Sequence, residues 1–430
     1  MSRISALVRH DLLRRSAYFS ISVIAATAVG IVSIPLLIRT IGTDEWARLF
    51  VLQMIGQFAS ICVAFGWGAT GPSTVSALPK ADRRQFLLDS LVARVPLLLI
   101  VTPLAVALGI ALGADPLAAV LATIAYAVPG IGAAWYFIGT NRPAAMLIFD
   151  ALPAVLGQVA ALVAVVFVPT LVSYLWTVAG ATTLGVVGGL VYALTRKDGA
   201  TLRRTRGDEL ATTMRTQVAG LATVLFGNLA TMLPVLLVDI FMKPVLPVFA
   251  AVDKLYRYGI IVLAPILQAV QSWVPEAGRA HTRSRALSSL WVGLGVGAIG
   301  GTCFALLATP ISIPLTLGEA VIPFEVALIA GIGFAAECVA QIVGLAGLVA
   351  LRRERELARS SIVAACVSIP LMIPALLVAG LLGVVSVIAL SALLVATYRT
   401  VVLLRAAKEW ERASDPVSAA TLDETASDAG

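Results

Sequence analysis

The chain has 430 residues, 59% hydrophobic and 13% charged, with a mean hydropathy of +0.96. Soluble domains carry roughly 25% charged residues, so a water-soluble enzyme or binding module is excluded and the class is a polytopic membrane protein. The net charge of +7 would suggest nucleic acid in a soluble chain. Beside apolar runs, basic residues instead set topology, and no nucleic-acid partner is expected.

Apolar stretches of about 20 residues, enough to cross roughly 30 Å of hydrocarbon as a helix, occupy 17–38, 47–68, 91–112, 117–138, 144–168 and 171–194. After a hydrophilic gap at 196–215 a second set occupies 217–238, 246–273, 287–309, 321–349, 362–379 and 382–404. The predicted fold is therefore all-α, with about twelve transmembrane helices. Expected regions are a cytoplasmic N-terminal segment 1–16, an N-terminal lobe 17–195, a cytoplasmic linker 196–215, a C-terminal lobe 216–404 and a cytoplasmic, largely disordered tail 405–430.

The loops give an independent reading, because cytoplasmic loops carry the excess of Lys and Arg. Arg3, Arg9, Arg14 and Arg15 precede the first span, and Lys80, Arg83 and Arg84 follow the second. Arg142 follows the fourth span, Arg196 to Arg215 the sixth, Arg279, Arg283 and Arg285 the eighth, Arg352 to Arg359 the tenth, and Arg405, Lys408 and Arg412 the last. Loops after odd-numbered spans hold almost none; the exceptions are Arg39 and Lys243, with Arg48 just inside span two. Both termini are expected in the cytoplasm of an inner-membrane protein. A cleavable leader is not expected, because the first apolar run is too long for one.

The cysteines, Cys62, Cys303, Cys338 and Cys366, sit in apolar segments without metal or disulfide spacing and are expected to be small buried residues. His10 and His281 are both in expected cytoplasmic segments, which excludes a His-rich metal site. The six-and-six division invites a search for a repeat. Span one ends Pro35 to Arg39 and span seven ends Pro234 to Asp239, each before a short outer turn. Two parallel six-helix lobes would produce this correspondence.

Span eight carries Asp253, Lys254 and Arg257 inside an otherwise apolar run. Charges at membrane depth face a protein interior or wet cavity, and by default mark the path of a polar solute. Three further features give the run a family likeness. Ile34-Pro35 through Arg39, Gly42, Asp44, Glu45 and Trp46 form a first-loop signature; Phe65-Gly66-Trp67-Gly68 with Gly71-Pro72 ends span two; Ala134-Trp135-Tyr136-Phe137 with Gly139 ends span four. Together with Phe249 to Leu255 and Pro275 they resemble the Wzx-type O-antigen and polysaccharide flippases of the multidrug/oligosaccharidyl-lipid/polysaccharide exporter superfamily. Trp46-Ala47 departs from the Tyr-Gly common there.

The resemblance implies two bundles around a central cavity that opens alternately to each side. Its cargo would be an undecaprenyl-pyrophosphate-linked oligosaccharide, and its partners membrane lipid and polysaccharide polymerase or chain-length proteins, around a monomer that is not an enzyme. Such a diphosphate needs cations, which pair well with phosphate oxygens; candidates are Arg39, Arg48, Lys254 and Arg257, with Asp253 and Gln268 on the same polar face of span eight. Asp253 and Arg257, at i and i+4, either line the cavity or neutralise each other. Arg94 and Arg399, near cytoplasmic ends, are expected to snorkel. Trp135, Tyr136 and Phe137 form an interfacial aromatic belt or stack on sugars. Glu337, with Gln341 one turn on, and Asp150 are the candidates for binding a coupling H+ or Na+; no other cofactor is expected. Two other functions stand beside flipping: small-molecule antiport and membrane-embedded polysaccharide polymerisation.

Overall fold

The computed structural model describes residues 27–196, 203, 207–274, 278–353 and 355–414. The expected N-terminal segment, the start of span one, most of the linker, Pro275 and the end of the tail lie outside these residues, as do the side chains of Gln268 and His281. Among the described residues there is no strand. In hydrocarbon every backbone N–H and C=O has to be satisfied within the protein, and a helix does this inside its own segment.

In chain order the helices are α1 (Thr27–Ile41), α2 (Thr43–Ala64), α3 (Trp67–Ala77), α4 (Lys80–Ala111), α5 (Pro116–Ala127), α6 (Ala134–Gly139), α7 (Pro143–Met146), α8 (Leu152–Phe167) and α9 (Leu171–Thr195). They continue as α10 (Gly207–Phe241), α11 (Leu246–Trp273), α12 (Gly278–Leu315), α13 (Phe324–Ile342) and α14 (Arg355–Ser414). Among the described residues eight stretches are long and apolar enough to cross a bilayer, and Thr27–Ile41 and Met232–Phe241 are shorter apolar helices. The chain is an all-α, multi-pass membrane protein.

Breaks in the helices fall where local chemistry puts them. Pro116 opens α5 while the Asp115 carboxylate accepts from the Ala118 N–H at 3.0 Å, so the first turn is capped. Span two divides at Phe65 and Gly66, both with positive φ (45° and 88°); a Cβ on Gly66 would stand 2.5 Å from the Gln217 carbonyl oxygen, which only glycine permits. Span four is interrupted by a 3-10 turn, Val128–Ile131, containing Pro129, and π-helical turns occupy Leu147–Ala151 and Val343–Leu348. The long α14 is broken at Gly380 (φ 57°, ψ −135°), inside the gap expected between spans eleven and twelve.

The chain forms two compact units, residues 1–250 with 314–320 and residues 251–313 with 321–430. In the first, α2 packs against α4, α5 and α10, and α3 against α6. In the second, α13 packs on α14, and α12 meets α13 backbone to backbone at Gly301 and Gly331, where a Cβ on either would lie 2.6 Å from the other's carbonyl oxygen. Without a hydrophobic force between helices in lipid, such close approach of small residues supplies the packing.

The buried arginines overturn the expectation of snorkelling. Arg94 is 0% exposed. It donates to the carbonyls of Gly130 (2.9 Å), Gly132 (3.2 Å) and Ser90 (3.2 Å) and to Ser90 Oγ (2.9 Å), with the rings of Trp67 and Trp135 5.9 and 5.6 Å from its guanidinium carbon. Arg399 is 9% exposed and donates to the Ala340 carbonyl at 2.8 Å and Ser360 Oγ at 3.0 Å, in space left by Gly344. Each sits where a helix departs from α geometry, Arg94 at the 3-10 turn and Arg399 beside the π-turn. A long charged side chain there supplies donors to helix-end carbonyls in an apolar core.

Two other expectations are corrected. Trp135, Tyr136 and Phe137 are at most 5% exposed and pack with Trp67, Phe86, Phe149 and Tyr192; they form the unit's core rather than an interfacial belt or a sugar-stacking face. Their sequence gave no sign of this because belts and cores use the same residues. Cys303 and Cys366 are exposed, whereas Cys338 is buried and Cys62 half-buried; cysteine tolerates both settings, since its small apolar side chain suits lipid as well as protein.

Candidate functional site

In the first unit, the α1–α2 turn, the end of α4 and the α10–α11 connection surround a cavity of about 440 Å³. Its polar lining is Asp44, Arg48, Asp239 and Lys243. Gly42, with φ 86°, turns the chain so that α2 starts with Asp44 and Glu45 in its first turn, where a helix N-terminus favours acids, and presents Arg48 one turn in. Arg48 Nη1 donates to the Gly113 carbonyl, and Lys243 Nζ lies 3.4 Å from the Leu112 carbonyl. Both cations thus sit on the negative C-terminal end of α4.

Asp239, four residues before Lys243, is 7% exposed and interacts electrostatically with both Lys243 and Arg48. Two cations therefore face two carboxylates, so the cations are held in place while their charge is largely balanced. Arg48 keeps unused capacity. Its Nε is buried without a hydrogen bond, the nearest carboxylate oxygen, Glu45 Oε1, being 3.6 Å away. That pair, 25% and 45% exposed, contributes about 0–1 kcal/mol, little enough for an incoming anion to displace it.

The second unit gathers most of the other predicted residues. Arg257 Nε donates to Asp253 Oδ2 at 2.5 Å within α11, so the i,i+4 pairing is formed. Such pairs are worth about 0.2–0.5 kcal/mol, and the Arg257 side chain is still 40% exposed, so pairing does not withdraw it from a ligand. Lys254 beside them is half-buried and feels both charges. Tyr256, on the same helix, packs its ring 6.0 Å from Phe304 and 5.4 Å from Phe334 and interacts with both Asp253 and Glu337. Glu337 is half-buried, accepts from Gln341 Nε2 at 2.6 Å and interacts electrostatically with Arg399. Polar groups of α11, α13 and α14 thus converge through Tyr256 and Glu337.

Two predicted residues stand apart. Arg39, at the end of α1, is exposed and is not among the residues lining the α2–α4–α10 cavity. Asp150 is exposed in the π-turn Leu147–Ala151 rather than enclosed. The side chain of Gln268 lies outside the described residues. Asn228, within α10, donates to the Val224 carbonyl of its own helix at 2.8 Å.

Sequence reasoning missed Asp239 and Lys243 as site residues, although a signal was present. Arg48 and Lys243 were two of the three departures from the charge distribution of the loops. The structure brings those two departures into one cavity.

No protein-family model matches the sequence, and no curated protein is similar to it in sequence. Solved structures share the fold. The lipid II flippase MurJ in an inward closed conformation is 12% identical with a TM-score of 0.68, covering 92% of this chain and 90% of that one. An inward-facing multidrug resistance MATE family transporter of the MOP superfamily is 13% identical with a TM-score of 0.65, covering 92% and 96%. A MATE transporter from Vibrio cholerae, in mutant form, is 10% identical with a TM-score of 0.59, covering 96% and 99%.

Proposed function

We propose that this chain is an alternating-access transporter that carries an undecaprenyl-pyrophosphate-linked oligosaccharide across the cytoplasmic membrane for cell-surface polysaccharide or O-antigen synthesis. The observation that carries the reading is the convergence of Arg48 and Lys243 on one cavity of about 440 Å³, with an unused Arg48 donor. A diphosphate needs multidentate cationic partners, and two cations, one on α2 and one in the α10–α11 connection, provide them while their balancing acids keep the empty site stable. In the topology read from the loops both termini are cytoplasmic, and this cavity lies at the outer face, where the diphosphate would arrive. The second unit carries a cationic cluster of its own, Lys254 and Arg257 beside Asp253. Fold likeness to a lipid II flippase supports cargo of this class. The transporter is taken to act as a monomer, delivering its cargo to polymerase or chain-length proteins.

Deleting the gene is expected to abolish surface polymer and to leave its lipid-linked repeat unit on the cytoplasmic side. Normal polymer in a clean deletion strain refutes the reading.

A second reading, export of a small molecule driven by an ion gradient, is favoured by the carboxylates Asp239 and Glu337 and by the MATE-like fold. In either reading we assign coupling to H+ or Na+ to Glu337, a half-buried acid within α13 that accepts from Gln341 and interacts with Arg399. Glu337→Gln is expected to leave transport that no longer responds to the gradient, measured as uptake into vesicles with imposed proton or sodium gradients. An unchanged gradient response removes Glu337 from this role.

A further inference from the structure

We propose that a second cavity, at the turn between α13 and α14, binds the phosphate headgroup of an anionic phospholipid. The cavity, about 420 Å³, is lined by Arg352, Arg353, Arg355, Glu356 and Arg359, within the roughly 300–1,000 Å³ of small-molecule sites. All five residues belong to the second unit.

Only part of this positive charge is used internally. Arg353 pairs with Glu409, Arg359 with Glu356 at 2.8 Å, and Glu356 also accepts from the Tyr398 hydroxyl at 2.7 Å. Arg352 and Arg355 are exposed and have no partner among the described residues. The two paired arginines fix the rim, and the two others leave guanidinium forks for an oxyanion.

Arg352 carries a second sign of use. It has φ 58°, with its N–H donating to the Val349 carbonyl at 3.0 Å and that of Arg353 to Leu348 at 2.9 Å. This is the left-handed end of a helix, a position where glycine is cheapest. An arginine held there costs backbone strain, and strain retained at a ligand-facing position points to a role for the side chain.

The shared chemistry of the occupant is a phosphate oxyanion, supplied by a lipid or by free phosphate. The lipid is favoured by what lies one to three turns along α14: Ile362, Val363, Val367 and Leu371 are 38–51% exposed, an apolar strip for acyl chains directly below the arginines. Basic pockets where helices leave the cytoplasmic leaflet recognise acidic headgroups in this way, and the loop charges place this turn on that side.

The experiment uses the full-length protein in detergent, with thermal unfolding and native mass spectrometry read on addition of phosphatidylglycerol, phosphatidylcholine or sodium phosphate. Phosphatidylglycerol is expected to raise Tm and remain bound, and phosphatidylcholine and inorganic phosphate to do neither. Arg352→Gly with Arg355→Ala should weaken phosphatidylglycerol binding about tenfold or more, from the loss of charged hydrogen bonds, while Lys80→Ala in the first unit leaves it unchanged. If the double variant fails to fold, Arg352→Gly alone carries the comparison, since glycine suits φ 58°. An equal response to phosphatidylglycerol in wild type and variant overturns the proposal, and so does inorganic phosphate stabilising the protein as strongly as the lipid.

Discussion

Arg48→Ala is expected to weaken capture of a pyrophosphate-linked saccharide roughly tenfold to a hundredfold, and Asp239→Asn to strengthen it. The first figure follows from the 1.5–3 kcal/mol of a hydrogen bond to a charged group. Arg48→Lys keeps the charge but loses the fork and should fall between. The sign at Asp239 follows from the cavity's charge balance. With Asp44 and Asp239 facing Arg48 and Lys243, neutralising the nearly buried Asp239 removes the carboxylate that interacts with both cations and favours an anion. A cationic drug at the same site requires the reverse, weaker binding in Asp239→Asn and little loss in Arg48→Ala. Titrating purified variants with a fluorescent polyprenyl-pyrophosphate saccharide and with a lipophilic cation reads both signs. Arg48 and Lys243 share one cavity, so their effects should couple rather than add.

Arg94→Ala is expected to lower stability by about 2–6 kcal/mol, seen as a large fall in Tm in detergent and in membrane protein level. The estimate comes from the carbonyls of Gly130 and Gly132, each of which costs about 1–3 kcal/mol when left unpaired in the interior. Loss of the guanidinium also opens a void between Trp67 and Trp135. Arg94→Lys should recover only part of this, because a single ammonium cannot serve both carbonyls and Ser90 with the geometry of a fork. A Tm for Arg94→Ala within a degree of wild type would remove the sealing role.

These two arginines show where the sequence was legible and where it was not. Apolar length located the eight stretches that, among the described residues, are long and apolar enough to cross a bilayer, because hydrocarbon thickness fixes how many apolar residues a helix needs. The gap anticipated after Ala379 contains the break at Gly380 for a similarly local reason, a backbone conformation confined to glycine. Arg94 and Arg399 were misread because a charge near a helix end has two outcomes with one signature. Snorkelling and inward sealing differ only in what the opposite helix offers, here the carbonyls at a 3-10 turn containing Pro129 and the carbonyl of Ala340 beside a π-turn. Which side chain packs against each of those turns is a tertiary product.

The candidate site was legible in pieces. The Asp253 and Arg257 spacing allowed either cavity lining or an ion pair, and the ion pair forms, since i,i+4 contact is intrinsic to a helix. Glu337 was read with Gln341 one turn on, and that contact forms, while Tyr256 from α11 and Arg399 from α14, close enough to interact, could not be read from spacing. The Arg48 and Lys243 cavity was hidden for the same reason: it joins three connections far apart in sequence, and only the unusual placement of two basic residues hinted at it.

The most direct test is translocation in proteoliposomes containing the purified protein and an undecaprenyl-pyrophosphate oligosaccharide loaded on one leaflet, scored by accessibility of the sugar to an enzyme added outside. Transbilayer movement of the pyrophosphate-linked saccharide, severely slowed in Arg48→Ala and absent for a neutral polyprenyl saccharide without the diphosphate, is the predicted result. Equal movement of charged and neutral lipids, or full activity in Arg48→Ala, would contradict the reading of this cavity as a diphosphate site.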